Sequence, residues 1–135
     1  MGKLYFGNSL VVGKRNSKVN EVVQLVSEYF LKVKRVSECA ENLESYPSDH
    51  FNLIVVTDYL DHESDKNLIA NLRGKFPQAK MIGLFDDINQ AIEINMRSVG
   101  LIFLGSYDLF SENSQNVFQS AFGSGKEIQE PVAGI

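Results

Sequence analysis

The sequence has one cysteine, three prolines and no long apolar run. Cys39 is its only cysteine, which excludes an internal disulfide and a multi-cysteine metal site and fits a reducing compartment. No stretch reaches the roughly eighteen apolar residues of a transmembrane helix, and residues 1–6 lack the apolar core of a signal peptide. We therefore expect a cytoplasmic protein with no membrane partner.

The sequence also lacks an excess of positive charge and a nucleotide-binding motif. Lys and Arg number 13 against 17 Asp and Glu, and the net charge of −4 argues against direct binding of nucleic acid. No GxGxxG follows the first apolar segment, and residues 123–126 match a phosphate loop only superficially. We predict neither a cofactor nor a nucleic-acid partner for this chain.

Metal-binding and catalytic constellations are not predicted either. His50 and His62 lack a second pair of ligands at metal spacing, so exposed loop histidines are the favoured interpretation. Aspartates cluster after the third and fourth apolar segments, where turn formation and helix capping are the favoured roles. They are Asp58, Asp61, Asp65, Asp86 and Asp87. We expect a protein that is not an enzyme and holds no metal.

Five short apolar segments have the length and composition of β-strands. They are residues 9–12, 31–36, 51–57, 81–85 and 101–104. The third, FNLIVVT, is almost continuously apolar, which is typical of a strand with helices on both faces. The second alternates apolar and basic residues only approximately, which favours a place at or near the sheet edge.

Five helices are predicted between and after these strands. Apolar residues in the first recur at spacings of three and four, so they share one face. They are Val19, Val22, Val23, Val26 and Phe30. The other helices are predicted at residues 40–46, 68–76, 88–96 and 110–121. Residues 123–135 contain three glycines and a proline with little periodicity, which predicts a linker or disordered tail after one domain of residues 1–122.

The alternation of strands and helices predicts an α/β fold with a doubly wound parallel sheet and right-handed crossovers. For a chain of 135 residues the flavodoxin-like strand order 2-1-3-4-5 is expected. In this arrangement ligands bind at the carboxyl ends of strands 1 and 3. Those ends are residues 13–15 and 57–59.

Several short stretches, in this order, resemble the receiver domain of bacterial response regulators. SLVVGKRN resembles the first strand and its loop, and FNLIVVTDYL resembles the strand that carries the phosphoacceptor Asp. KFPQAKMIGLF resembles helix 3 with strand 4, and NMRSVGLIFLGS resembles helix 4 with strand 5. The resemblance covers about residues 8–122 and rests on pattern more than on identities. It implies the CheY-like fold and a role in two-component signalling.

The resemblance also identifies the positions of the family's phosphorylation site. In receivers an Asp accepts a phosphoryl group from a kinase, Mg²⁺ is held by an acidic pair, and a Lys bonds a phosphoryl oxygen. Here Thr57 takes the phosphoacceptor position, and Gly13 with Lys14 take the positions of the acidic pair. Phe85 replaces the Ser or Thr after strand 4, and Ser106 stands near the Lys position. Phe103 alone fits the family, as the switch aromatic.

These departures favour a degenerate pseudo-receiver. Such a domain would signal without phosphorylation, by dimerising or by docking a partner through helix 4, strand 5 and helix 5, and would regulate an attached output domain, such as a transcription factor. Four residues are candidates for an exposed apolar face there, although inward packing is as good an interpretation for each. They are Ile94, Met96, Tyr107 and Phe110.

Two alternatives remain open. A slip of one residue at strand 3 would make Asp58 the phosphoacceptor of a working phosphorelay receiver, with Asp61 or Asp86 as unusual metal ligands. Strand alternation favours Thr57 as the last strand residue and Asp58 as the first loop residue. A flavin or small-molecule sensor with its ligand over residues 13–16 is less favoured, because the loop lacks a phosphate cradle rich in Ser and Thr.

Overall fold

The fold is seen in a computed structural model that describes most of the chain. The described residues are 6–13, 17–36, 43, 45–57, 65–85 and 100–134, without the side chains of residues 65–68 and 123–134. Lys14, Asp58, Ile94 and Met96 lie outside the described residues, as do the predicted loop histidine His62 and the single cysteine.

Five strands form one parallel sheet in the order β2-β1-β3-β4-β5. They are β1 (Asn8–Val12), β2 (Lys32–Val36), β3 (Leu53–Thr57), β4 (Lys80–Leu84) and β5 (Leu101–Gly105). The predicted strand order is therefore confirmed, with the basic second strand at one edge. Every residue of β3 is buried, because this central strand is covered on both faces.

Three helices occur among the described residues, fewer than the five predicted. They are α1 (Ser17–Ser27), α2 (Asp65–Lys75) and α3 (Tyr107–Gly134). The helix predicted at residues 40–46 lies mostly outside the described residues, and the one predicted at 88–96 lies wholly outside them. Helix α3 continues through residues 123–134, where the sequence predicts a linker. Glycines there weaken a helix by about 1 kcal/mol each without forbidding it. The domain boundary at residue 122 stays a prediction.

The sheet separates two apolar layers, because successive side chains of a strand point to opposite faces. Leu10, Val12, Ile54 and Val56 belong to the layer that includes α2. The second layer lies between the sheet and helices α1 and α3. It includes Val11, Val19, Val22, Val26, Phe30, Leu53, Val55, Phe110 and Phe118. Side chains at the ends of β1 and β3 are thereby directed to one helical layer or the other.

Candidate functional site

The ends of β1 and β3 lie side by side at the carboxyl edge of the sheet. Val12 pairs with Val56 in the parallel register, so Gly13 and Thr57 follow as neighbours at the point where the strand order reverses. Two of the positions identified from the sequence are therefore brought together. Lys14 and Asp58, the next residue in each case, lie outside the described residues.

Thr57 is fully buried at the end of β3 in this site. Its side chain is 0% exposed, and its hydroxyl donates a hydrogen bond of 3.0 Å to the carbonyl oxygen of Val12. It follows Val55 by two residues and so points to the layer of α1. The side-chain oxygen at the predicted phosphoacceptor position is thus buried and already hydrogen bonded.

Gly13 fits only because it has no side chain. A Cβ atom added there would overlap the Thr57 hydroxyl and come within 3.1 Å of Cγ2 of Val19 on α1. The backbone N–H of Gly13 donates to the carbonyl of Val36 at 2.8 Å, which continues the pairing of β1 with β2 by one residue. An acidic side chain at this position would require Thr57 or the backbone to move.

Arg35 brings a cation to the same edge. Its half-buried guanidinium donates a 3.0 Å hydrogen bond to the carbonyl oxygen of Gly13. In a receiver the corresponding region attracts Mg²⁺ with carboxylates, whereas a guanidinium repels a divalent cation. Arg35 is not among the site residues predicted from the sequence, although a basic residue one position before the end of an edge strand, on the face of α1, is a usable signal.

Phe85 and Ser106 have structural roles at the next pair of strands. Phe85 is 3% exposed, packs in the layer of α2, and donates its backbone N–H to the carbonyl of Gly105 at 2.9 Å. The Ser106 hydroxyl accepts the backbone N–H of Leu109 at 3.2 Å and so caps the amino end of α3. In the structure, Phe85 is thus part of the core and Ser106 is a helix cap.

Phe103, at the switch aromatic position, is half-buried on β5. Its ring centroid lies 5.7 Å from that of Phe110, and a Cβ at Gly105 would come within 3.0 Å of the ring. A register shift between Met81 and Ile82 lies opposite this part of β5. The ring therefore packs against the start of α3.

Two of the four candidates for an exposed face pack inward, which was the other interpretation of each. Tyr107 is 6% exposed and Phe110 is 1% exposed, and both pack in the layer of α1 and α3. They lie three residues apart on α3, so both face the sheet. The partly exposed apolar residues of this region are Ile102, Phe103 and Val117, together with the exposed Leu109.

Among the described residues, no group of three or more His, Cys, Asp or Glu side chains is placed to hold a metal ion. Within the same residues, no helix is long and apolar enough to cross a membrane. At the carboxyl edge, Gly13 and Thr57 pack together, and Arg35 donates a hydrogen bond to the Gly13 carbonyl.

The sequence matches no protein-family profile and no curated protein. Solved structures do match the fold. A CheY-like receiver domain protein from Methanospirillum hungatei is 15% identical, with a TM-score of 0.64 over 87% of this chain and 96% of that one. A response regulator from Thermotoga maritima is 19% identical, with a TM-score of 0.61 over 84% of this chain and 98% of that one. The chain has the receiver fold.

Two further solved structures, of two kinds of protein, are similar to this one in fold. A response regulator from Burkholderia pseudomallei, solved with a phosphorylated aspartic acid, calcium and citrate, is 19% identical, with a TM-score of 0.67 over 96% of this chain and 75% of that one. A pilus assembly-related protein from the same species is 16% identical, with a TM-score of 0.68 over 89% of this chain and 94% of that one. At these identities the likeness concerns the fold alone.

Proposed function

We propose that this chain is a pseudo-receiver, a signalling module that acts through protein contacts without being phosphorylated, and that it regulates an output domain attached to it or bound by it. The observation that carries the proposal is the contact between Gly13 and Thr57. Phosphoryl transfer to a receiver needs an accessible carboxylate, a metal beside it and a cation on the phosphoryl oxygens. At the described positions, the buried hydroxyl of Thr57 takes the place of the carboxylate, and Gly13 takes the place of a metal ligand.

The electrostatics of the edge support the same proposal. The Arg35 guanidinium lies at 3.0 Å from the Gly13 carbonyl oxygen, a backbone group beside the position of the acidic pair. Removing the carboxylates and adding a cation both disfavour Mg²⁺. The several departures from the family thus weaken the same step, which is assembly of the metal site.

The interaction surface of the proposed module is the apolar groove between β5 and α3. This groove has a volume of about 460 Å³, and its described lining combines the apolar Ile102, Phe103, Val117 and Ala121 with the polar Asn113, Asn116 and Ser120. Leu109, 46% exposed, lies nearby at the start of α3. Exposed apolar surface of this kind favours contact with a second protein surface.

The experiment that tests phosphorylation independence is a titration with Mg²⁺ and beryllofluoride, followed by amide chemical shifts. We expect the signals of Gly13, Thr57 and Phe103 to stay unchanged at saturating reagent, and acetyl phosphate to leave the protein mass unchanged. Thr57→Val serves as the matched control for the Asp58→Asn variant described next. It removes the hydroxyl at the neighbouring position while keeping the shape of the side chain.

The alternative is a working phosphoacceptor at Asp58. Mg²⁺-dependent shifts that Asp58→Asn abolishes and Thr57→Val leaves intact would establish that alternative and overturn the proposal. Shifts that neither variant affects would indicate binding of the reagent elsewhere on the surface, which leaves the phosphoacceptor positions inactive as proposed.

A further inference from the structure

A second cavity lies at the opposite end of the sheet from the Gly13 and Thr57 pair. It has a volume of about 580 Å³ and opens beside the edge strand β2 and the start of β1. The described residues lining it are Asn8, Ser9, Lys32, Val33, Lys34, Arg35, Tyr46, His50 and Phe51. Its size is that of a typical small-molecule site.

Two lysines give this cavity its charge. Lys32 and Lys34 pair in register with Asn8 and Leu10, so their side chains lie on the same face of the sheet as those residues. Because they are two residues apart on the strand, their Cα atoms lie about 7 Å from each other. The described lining residues include no Asp or Glu. This local excess of positive charge attracts anions, although the net charge of the whole chain is −4.

Three aromatic rings form another part of the lining. The His50 ring centroid lies 4.5 Å from that of Tyr46 and 4.7 Å from that of Phe51. Phe51 is 3% exposed and joins this group to the core layer of α2. Rings anchored in this way offer apolar and π surface to a planar group.

Hydrogen bonds fix this wall of the cavity to the sheet. The Asn8 side-chain amide donates to the carbonyl of His50 at 3.3 Å, and the backbone N–H of His50 donates to the carbonyl of Pro47 at 3.1 Å. The backbone N–H of Asn8 donates in turn to Oδ1 of Asn52 at 3.0 Å. Because these hydrogen bonds order the lining residues before a ligand binds, they lower the entropic cost of binding.

We propose that this cavity binds a small organic anion that carries a planar ring. Lys32 and Lys34 would hold its phosphate or carboxylate, and the ring would pack beside Tyr46 and His50. Arg35 contributes to the lining, but its guanidinium is directed to the Gly13 carbonyl on the other face of the sheet. Among its described lining residues the cavity shares Arg35 with the carboxyl edge, but its proposed ligand does not depend on whether the receiver positions there are active.

The test is a titration of the full chain with phenyl phosphate, followed by amide chemical shifts. Benzyl alcohol and inorganic phosphate, added separately, distinguish the contributions of the ring and the anion. We expect phenyl phosphate to shift the signals of Asn8, Val33, Lys34 and His50, and to bind more tightly than either separate compound. Shifts centred outside this lining, or no shifts at millimolar concentration, would overturn the proposal.

Lysine variants test the role of charge, since Lys80 offers a matched control. Lys34→Gln is expected to weaken binding of phenyl phosphate about threefold to fivefold, the range for a partly exposed ion pair. Lys80→Gln changes an exposed lysine at the start of β4, outside the lining, and is expected to leave affinity unchanged. Equal effects of the two variants would show nonspecific attraction and reject the site.

Stability measurements separate ligand binding from an internal ion pair. If Lys34→Gln lowers the free energy of unfolding and no phenyl phosphate binds to the unmodified protein, the lysine acts within the fold and the proposal is wrong. If the variant keeps its stability and loses affinity, the proposal is supported. The beryllofluoride titration described above reports on Gly13 and Thr57 independently, so failure of either proposal is recognised separately.

Discussion

Gly13 and Thr57 occupy adjoining positions at the ends of β1 and β3, and the hydroxyl of Thr57 fills the space that a Cβ of residue 13 would need. The two departures from the receiver pattern are therefore physically linked. Each makes the other acceptable, since the glycine gives room for a fully buried threonine that bonds the Val12 carbonyl. Any side chain at position 13 would therefore also require a change at Thr57.

A double-mutant cycle tests this coupling. We expect Gly13→Ala to lower the free energy of unfolding by about 1–3 kcal/mol, because overpacking at a closed site forces neighbours to move. Thr57→Ala should lower it by about 1 kcal/mol through loss of one hydrogen bond. The double variant should lose less than the sum of the two, since Thr57→Ala removes the overlapping oxygen. Urea unfolding followed by circular dichroism measures all four proteins. Strict additivity would contradict the coupling.

The last helix is joined to the sheet by a group of aromatic rings at the amino edge. Phe118, 0% exposed, lies 5.3 Å from Phe30 and 4.9 Å from Tyr29 between ring centroids. Phe122 continues the group, with its ring centroid 5.4 Å from that of Phe6. These contacts connect α3 both to the end of α1 and to the residues before β1. The orientation of α3 therefore depends on rings as well as on its amino-terminal cap.

Truncating one ring should be much more damaging than truncating an exposed apolar side chain of the same helix. We expect Phe118→Ala to lower the free energy of unfolding by about 3–5 kcal/mol, as for a fully buried phenylalanine. Leu109→Ala truncates a side chain that is 46% exposed. It should therefore change the free energy of unfolding by less than about 0.5 kcal/mol. Chemical denaturation of both variants measures the difference. Similar losses would mean that the amino-terminal turn of α3 is as important as the aromatic group.

The aromatic group also predicts where the folded domain ends. We expect a chain truncated after Phe122 to keep the urea midpoint of the full chain, because it retains Phe118 and Phe122, the rings by which α3 packs in this aromatic group. Truncation after Asn116 removes Phe118 and Phe122 and should abolish cooperative unfolding. A large loss on removing residues 123–135 would contradict the predicted domain of residues 1–122.

The elements that the sequence predicted well are those with a strong hydrophobic pattern. The five strands and their order followed from short apolar runs and from the alternation of elements, and the fully apolar third strand is indeed central. The orientation of α3 was harder to predict. Its buried face includes Tyr107, Phe110, Ser114 and Phe118, and the polar Ser114 interrupts the apolar pattern on which such a prediction depends.

The candidate site could be located but not fully described from the sequence. Strand topology was sufficient to bring Gly13 and Thr57 together, because register follows from pairing in a parallel sheet. Their steric overlap and the bond from Arg35 depend on side-chain directions that residue spacing alone does not give. The cavity beside β2 was missed for the same reason, since it combines an edge strand with a loop before β3.

The two edges of the sheet differ in a way that bears on assembly of the whole molecule. At one edge, β2 carries Lys32 and Lys34, and charged side chains on an edge strand oppose pairing with another copy. At the other edge, β5 is half-buried along most of its length and adjoins the apolar groove beside α3. If two copies associate, the β5 and α3 side is therefore the favoured contact.

We expect the weight-average mass of the protein to rise with concentration in sedimentation experiments. Leu109→Lys should reduce this rise, because it places a charge on an exposed leucine next to β5, where folding does not require burial. Leu31→Lys changes a leucine that is 63% exposed just before β2 and serves as the matched control. It should leave association unchanged. If Leu31→Lys is the variant that dissociates the copies, the contact lies at the β2 edge, and the lysines there act in recognition of a second copy instead of preventing it.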